Sequence, residues 1–526
     1  MQTIFTSARG AIHLIDPADD VAVAIRQLEP GETVSLEGRP ARRPVGRPTE
    51  LPADSGDLSG DCLHVRELIP RGHKLAVRRI VAGNAVRKYG WPIGQATCDI
   101  EPGSLVHSDN LTTLLTGLNQ YEYQPVAPMR ATVPLEQPLE FMGYRRRSGR
   151  VGTRNEIWVI TTVGCVTRTA ERIARLGAER FAGRVDGVHA LTHPFGCSQL
   201  GDDLAHTRKV LASLIVHPNA GGVLVVGLGC ESNQLSKLLA EVGDYDESRV
   251  RAFSAQASDD EIEDGLVALE ELVQVAECDE RQPCPLATLS IGLKCGGSDG
   301  FSGITANPLV GRIADQVAAA GGTPILTEIP EVFGAEQLLM RRAVDAGVFA
   351  QVVTLVNSFK QYFLDHGQPI YENPSPGNIA GGITTLEEKS LGAVQKGGRA
   401  PVSQVLLYGH RASRPGLALL EAPGNDAVSS TALVAAGATV LLFTTGRGTP
   451  LGFPVPTLKI ASNSALARKK PRWIDFDAGQ VLEGTSMDDA ARKLMQLIID
   501  TASGKLARNE LNDEREIAIW KTGVTL

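Results

Sequence analysis

From Glu156 onward the chain repeats one local pattern: a short apolar run, a loop containing glycine, then a segment of helical length. Glu156–Gly164 (EIWVITTVG) precedes a helix over Val166–Arg175, Asp186–Thr192 (DGVHALT) precedes one over Asp203–Val216, and Gly222–Gly229 (GVLVVGLG) precedes one near Asn233–Val242. A further strand begins at Leu289–Leu293, a helix follows around Leu309–Ala320, and Pro324–Ile329 (PILTEI) reads as another strand. Strands that are apolar on both faces must be covered on both faces, and parallel neighbours need a crossover of helical length. The alternation therefore predicts a multidomain α/β chain with parallel sheets flanked by helices. At 526 residues the chain exceeds the ~100–200 of one domain, so more than one core is expected.

Residues 11–110 differ. Short β-branched runs alternate there with the turn pieces EPGE, IPRG, VAGN, YGWPIG and EPGS, which suits a compact strand-and-turn module with a Pro/Gly/Ser-rich surface insertion at 43–61. A polar linker over 111–139 leads to a second unit, 140–284. A composition boundary at Cys278–Pro285 (CDERQPCP) opens a C-terminal unit, 285–526, rich in long glycine loops.

The net charge of −8 opposes broad binding to nucleic acid or anionic membranes, although a local basic patch is allowed. The N-terminal MQTIFTSARGAIHLID lacks the apolar core of a secretory leader, so the cytoplasm is expected. The longest uncharged stretch, Ala427–Gly446, contains eight Ser, Thr or Gly among its 20 residues and reads as helix, turn and buried strand, not as a membrane span. The 55 glycines and 30 prolines against 5% aromatics favour an enzyme with many tight loops. A homo-oligomer is compatible with a chain of this size.

Of eight cysteines, four follow an apolar strand beside glycine: Cys165, Cys197, Cys230 and Cys295. Ligands of parallel sheets bind outside the carboxyl ends of the strands. If the strands are neighbours, these thiols converge there with His193 and Glu231, as ligands of an iron or iron–sulfur centre or as redox-sensitive groups; the alternative is that they are small buried fillers. His13, with Asp16, Asp19 and Asp20 behind it, and His73 in Arg71-Gly72-His73-Lys74 are either metal or proton-transfer groups or surface polar residues around turns. The loop Gly296-Gly297-Ser298-Asp299-Gly300 offers amides to an anion, and Arg447 in Thr445-Gly446-Arg447-Gly448 suits a bidentate grip on a carboxylate. Gly227-Leu228-Gly229 lacks the third glycine of a dinucleotide fingerprint, and neither a Walker loop nor HExxH is present.

Over essentially its whole length the sequence resembles the altronate/galactarate dehydratase family. The resemblance is carried by His13 with Asp19-Asp20-Val21-Ala22-Val23, RGHK (71–74), GRVGTRN (149–155), HPFGC (193–197), GLGCE (227–231), CGGSD (295–299), NPSPGN (373–378) and TGRGTP (445–450). CSQLGDD, FGAEQLLM, YENPSPGN, GGITTLE, APGNDAV, WIDFDAGQ and KTGVTL resemble the altronate-acting branch more than the galactarate-acting one. The resemblance implies an N-terminal SAF-type β-clip domain, a two-part catalytic region and a divalent metal: Fe2+, with Mn2+ or an iron–sulfur cluster as alternatives. It implies conversion of the sugar acid D-altronate to 2-dehydro-3-deoxy-D-gluconate and water in hexuronate breakdown. Two departures are Asp20, where the family has Asn, and the insertion at 43–61. On this reading metal binding falls to a subset of His13, Cys165, Cys197, Cys230 and Cys295. The substrate is held by Arg447, Asn378 and the loop of Gly296, Gly297 and Ser298; His73, His193 and Asp299 join Arg447 as the groups expected to act in catalysis. Closure of the SAF-like domain over the catalytic region would make the site composite. The rival readings are galactarate dehydratase or sulfolactate sulfo-lyase on the same scaffold and, in another class, a non-enzymatic sugar-acid sensor.

Overall fold

The computed structural model describes residues 10–35, 62–126 and 139–526. The expected insertion at 43–61 and most of the second half of the linker lie outside them.

The N-terminal domain is built from nine short strands: β1 (Ile12–His13), β2 (Val21–Ala24), β3 (Thr33–Ser35), β4 (Cys62–His64), β5 (Lys74–Ala76), β6 (Ala85–Lys88), β7 (Trp91–Ala96), β8 (Leu105–Val106) and β9 (Leu111–Thr112). They form antiparallel sheets in the orders β1-β2-β5-β8, β3-β4 and β6-β7-β9. Asp19 ties the module together: its carboxylate accepts from the N–H groups of Gly90 (2.7 Å), Tyr89 (3.0 Å) and Asp16 (3.1 Å), while Asp20 accepts from Arg87 N–H at 2.8 Å. These two carboxylates are spent on orphan backbone donors, which burial requires.

After a small sheet of β10 (Glu140–Arg145), β11 (Val151–Gly152) and a later strand, the second domain winds β12 (Glu156–Thr161), α1 (Thr167–Arg180), β13 (Gly187–Leu191), α2 (Gly201–Ile215), β14 (Ala220–Gly227), α3 (Leu235–Val242), β15 (Val250–Ser254) and α4 (Glu261–Ala276). Its sheet is parallel, in the order β13-β12-β14-β15. The next strand, β16 (Gln282–Pro285), returns to pair with β10.

The C-terminal domain carries a seven-stranded parallel sheet in the order β19-β20-β18-β17-β21-β22-β23, comprising β17 (Ser290–Cys295), β18 (Thr323–Leu326), β19 (Val402–Leu406), β20 (Leu417–Leu420), β21 (Val440–Thr445), β22 (Thr457–Ala461) and β23 (Phe476–Asp477). Its helices include α5 (Ala306–Ala319), α6 (Glu336–Met340), α7 (Ala346–Asp365), α8 (Pro376–Ala380), α9 (Leu386–Ala393) and α10 (Asp426–Ala435).

The period-2 alternation of strand side chains explains how three domains pack. Ile291, Leu293, Val440 and Leu442 face a core that continues into the N-terminal domain through Val21, Tyr89 and Ile93. Leu441 and Phe443 face the opposite core, shared with Trp158, Ile160 and Leu211 of the second domain. Ile157, Val159, Leu224 and Val226 cover the outer face of the second sheet under α1 and α4. His217 Nε2 lies 3.2 Å from Ala438 O and Asn219 Nδ2 donates to Thr439 O at 3.2 Å, just before β14 and β21 respectively. Helices α2 and α10 therefore end together, and the two parallel sheets present their carboxyl edges to the same side of the molecule.

Candidate active site

Sequence placed Cys295 at a strand end, and the fold surrounds it with charge. Lys294 is the penultimate residue of β17; its ammonium bonds Glu328 and lies 2.8 Å from Asp426 Oδ1. Lys396 donates to Cys295 Sγ at 2.8 Å and to Glu328 Oε2 at 2.7 Å, and Lys389, on α9, donates to Glu331 Oε1 at 2.8 Å. All of these except Asp426 are buried. Burial, and then Glu328, push the Cys295 thiol up to about 12, so it stays protonated. Against the cost of burial, Lys294 and Lys396 hold the Glu328 carboxyl well below its usual range. Glu328 adopts φ +67°, ψ +55°, a left-handed conformation that costs a non-glycine residue on the order of 1–3 kcal/mol and persists where surroundings fix it. The lysines and carboxylates of this network did not stand out in sequence, because an isolated Lys or Glu in a helix or strand end usually marks a solvated face.

Above this network three loops meet. Asp299 Oδ1 accepts from Ser462 Oγ (2.7 Å), Ser302 Oγ (2.9 Å) and Ser302 N–H (3.0 Å), and Oδ2 accepts from Asn463 Nδ2 (3.0 Å). It orders the loops after β17 and β22, with its oxygens largely used in doing so. Gly297, at φ +62°, accepts through its carbonyl from the N–H groups of Gly446 and Arg447, both at 3.1 Å. That bond sets the exposed Arg447 guanidinium beside Gly377, whose carbonyl accepts from Nη1 at 3.0 Å. Asn378 is buried, donating to Ser298 O at 2.8 Å and accepting from Lys389 at 3.2 Å. Gly296–Ser298, Asp299, Asn378 and Arg447 thus assemble at one carboxyl edge.

The N-terminal domain packs against this edge. A Cβ at Gly300 would lie 2.0 Å from Gly72 O, and one at Gly382 would lie 2.5 Å from the same oxygen, so backbone meets backbone across the seam. His73 stacks on His107 with centroids 5.3 Å apart, and His107 Nε2 lies 3.1 Å from Ile379 O. Burial lowers the pKa of His73, leaving a neutral imidazole at neutral pH. Beside it Lys74 (2.9 Å) and Lys88 (2.7 Å) share Glu388 of α9. Burial brings Lys74 down to about 8 although Glu388 opposes it. His13 belongs to this side: burial, and then Lys88, bring it to about 4.

Cys197, Cys165 and Cys230 follow β13, β12 and β14, three adjacent strands of the other sheet, and all three are exposed. Their loops interlock: Gly164 N–H donates to Phe195 O at 2.8 Å, and Asn233 N–H to Gly196 O at 2.9 Å. Against partial burial, Thr162 Oγ1 at 2.6 Å and the N–H of Gly229 at 2.6 Å hold the Glu231 carboxyl below its usual range. His193 lies beneath these loops, with Nε2 2.9 Å from Thr161 O and Nδ1 accepting from Phe195 N–H at 3.2 Å. Burial lowers it to about 4, and both nitrogens are engaged in holding the loop that carries Cys197. The structure therefore separates the five residues suggested as metal ligands into three places: His13 in the N-terminal domain, Cys295 in the C-terminal sheet, and three thiols on the second sheet.

The donor sets differ in their fit to a metal. Among the described residues, Cys295, Glu328 and Glu331 are the one group whose His, Cys, Asp or Glu donor atoms all lie within 4.8 Å of one another. Lys396 occupies the space against Sγ and Glu328, and Lys294 and Lys389 hold the two carboxylates, so the set as it stands neutralises lysines. Cys165, Cys197 and Cys230 supply soft, accessible donors, one per strand end, more widely spaced than a compact mononuclear site. Their donor type is that of iron and iron–sulfur sites, but their sulfurs do not all lie within 4.8 Å of one another.

Three family models match the chain: the altronate/galactarate dehydratase SAF domain over residues 11–114, the D-galactarate dehydratase/altronate hydrolase second domain over 143–277, and the D-galactarate/altronate dehydratase C-terminal domain over 286–525. The chain is 49% identical over 514 residues to an altronate dehydratase of Escherichia coli (strain K12), and 46% identical over 516 residues to one of Bacillus subtilis (strain 168), covering 97% of this chain and 99% of each relative. It is 35% identical over 477 residues to the L-threo-forming galactarate dehydratase of Escherichia coli (strain K12), covering 86% of this chain and 89% of that one. Among the described residues no helix is long and apolar enough to cross a membrane.

Proposed function

The chain belongs to the D-galactarate/altronate dehydratase family, and from that premise we propose that it is an altronate dehydratase, a hydro-lyase converting D-altronate to 2-dehydro-3-deoxy-D-gluconate and water. The observation that carries this reading is the convergence of Arg447, the Gly296–Asp299 loop and the N-terminal domain's His73 at one carboxyl edge, in a chain that matches altronate dehydratases nearly end to end.

The reaction breaks the C2–H and C3–O bonds. Its electron pair moves from C2–H into a C2–C3 double bond as hydroxide leaves C3 with a proton, and the resulting enol tautomerises to the 2-keto acid. Arg447, with the amides of the 296–300 loop, grips the C1 carboxylate, whose extra charge in the enediolate these donors stabilise. His73, neutral at working pH and screened from bulk water by the seam, is the group we assign to take or give a proton. Asp299 and Asn378 fix the clamp's loops, and His193 fixes the loop of Cys197. An iron centre held by Cys165, Cys197 and Cys230 would supply Lewis acidity to a substrate oxygen.

Purified protein should release 2-keto acid from D-altronate faster than from galactarate or sulfolactate; a preference for either rival overturns the substrate assignment, and aldonate binding without keto acid overturns the enzyme reading. Arg447→Gln should lower kcat/KM about 100-fold or more while leaving the melting temperature unchanged. Anaerobic purification followed by iron and sulfide analysis tests the metal: Cys165→Ser, Cys197→Ser and Cys230→Ser should each lose metal and Cys295→Ser should retain it. Unchanged iron in the first three sinks that assignment.

A further inference from the structure

The end of β10 and the hairpin turn to β11 carry Arg145, Arg146, Arg147 and Arg150, a dense basic run in a chain of net charge −8. Gly149, at φ +80°, closes the turn, and Arg146 N–H donates to Arg150 O at 2.9 Å. Arg146 is neutralised by Asp279 at 2.7 Å, which Arg249 also grips at 2.8 Å. Arg150 goes elsewhere. It crosses to the C-terminal domain, where Nη2 donates to Ala412 O at 3.0 Å and the guanidinium lies on Gly437, at which a Cβ would sit 2.9 Å from Nη1.

Among the described residues neither Arg150 nor Arg411 forms an ion pair, and the charge that bears on Arg150 is that of Arg411. No carboxylate is thus within ion-pair distance of either guanidinium. The two arginines line a cavity of ≈ 470 Å³, with Lys209, Ser148, Ser413 and His410 on its walls. Its carboxylates are Glu241, already bound to Lys209, and Asp244. A second cavity of ≈ 170 Å³, sharing Ser148, Arg150, Asp244 and Arg411, adds Arg146, Arg147 and Arg249. The pair of cavities opens beside Ala220, Gly222 and Val250, at the amino ends of β14 and β15, opposite the carboxyl edges where the thiols and the Arg447 loop lie.

We propose that this cavity is a binding site for a phosphoryl dianion, held by Arg150 of the second domain and Arg411 of the C-terminal domain across their seam. A tetrahedral dianion matches two uncompensated guanidiniums in charge, and its oxygens can serve both forks and the Ser148 and Ser413 hydroxyls together, whereas a carboxylate fills one fork. The volume lies within the ~300–1,000 Å³ of small-molecule sites, so the phosphoryl group can be free phosphate or the head of a phosphorylated metabolite. Because the two arginines belong to different domains, the bound anion stabilises their docking. The site is independent of which sugar acid the enzyme dehydrates.

Isothermal titration of the full-length protein at constant ionic strength, with inorganic phosphate, a hexose 6-phosphate and malonate, tests the proposal. Saturable binding of phosphate or the sugar phosphate is expected, weakened about tenfold or more by Arg150→Gln and by Arg411→Gln, with ligand-free dehydratase turnover unchanged. Equal affinity for the two phosphoryl probes identifies free phosphate as the occupant; tighter sugar phosphate identifies a metabolite. Absence of binding by both, equal binding in wild type and Arg411→Gln, or malonate bound more tightly than phosphate overturns it. Arg411 makes no hydrogen bond to the rest of the described protein, so its variant keeps the test decisive if Arg150→Gln does not fold.

Discussion

At the carboxyl edge of the four-stranded sheet three thiols face solvent, whereas at that of the seven-stranded sheet one thiol is buried among Lys294, Lys389, Lys396, Glu328 and Glu331. Both edges grow from the same local sequence: an apolar strand, a glycine and a cysteine. What separates them is cover. The second domain's edge is left open, and the C-terminal domain's edge is roofed by α9 and the N-terminal domain, so desolvation decides there which groups hold protons. Residue type at a strand end therefore says little about its chemistry until the packing above it is known.

The sharpest way to break this contrast is to unbalance the buried network. Lys396→Met leaves Glu328 short of one of its two ammonium partners, and the loss of a buried partner costs about 3–5 kcal/mol; urea unfolding of the metal-free protein should read that drop, whereas Cys230→Ser on the open edge should change the stability of the metal-free protein by less than about 1 kcal/mol. Equal effects would erase the distinction. Next in size is thiol reactivity. Buried and with its thiol pushed up to about 12, Cys295 in the metal-free protein should be alkylated at pH 8 far more slowly than the exposed Cys165, measured by site-resolved mass spectrometry. Smaller again is the response to acid. His13 under the N-terminal roof and His193 beneath the thiols both have folded pKa values of about 4, below the ordinary 6.5, so between these values the unfolded chain binds protons that the folded chain refuses. Stability should fall as pH drops through that window, by on the order of 1 kcal/mol per pH unit for each histidine, and His193→Gln should flatten the slope if it folds.

The βα rhythm was legible because a parallel strand buried on both faces must be apolar throughout. Glu156–Thr161 and Ala220–Gly227 show this plainly, and the strand-and-turn module at 11–110 was legible from its turns. That the Gly296–Asp299 loop and Arg447 stand in strand-end loops was legible too, although glycine turns have other uses, and Asn378 was picked out only by the family resemblance. Lys294, Glu328, Lys389 and Lys396 were not. Each is a single charged residue whose meaning lies in distant partners, as with Lys396 and Cys295, 101 positions apart, and nothing local distinguishes it from a solvated side chain. The common position of the four cysteines also misled on distance: the pattern fixes where each sits on its strand, but not which sheet that strand joins.

The contact between Gly72 and Gly300 limits what recombination can do with this architecture. Because the Gly72 carbonyl occupies the place where a β-carbon on Gly300 would stand, the C-terminal domain must keep a bare backbone there, whereas at Gly72 it is the left-handed φ of +83°, and not the space, that favours glycine. Chimeras with breakpoints in the linker should therefore assemble when Gly300 is retained, and should misdock when the parent supplying the C-terminal domain brings a side chain to that position, however well each half folds alone.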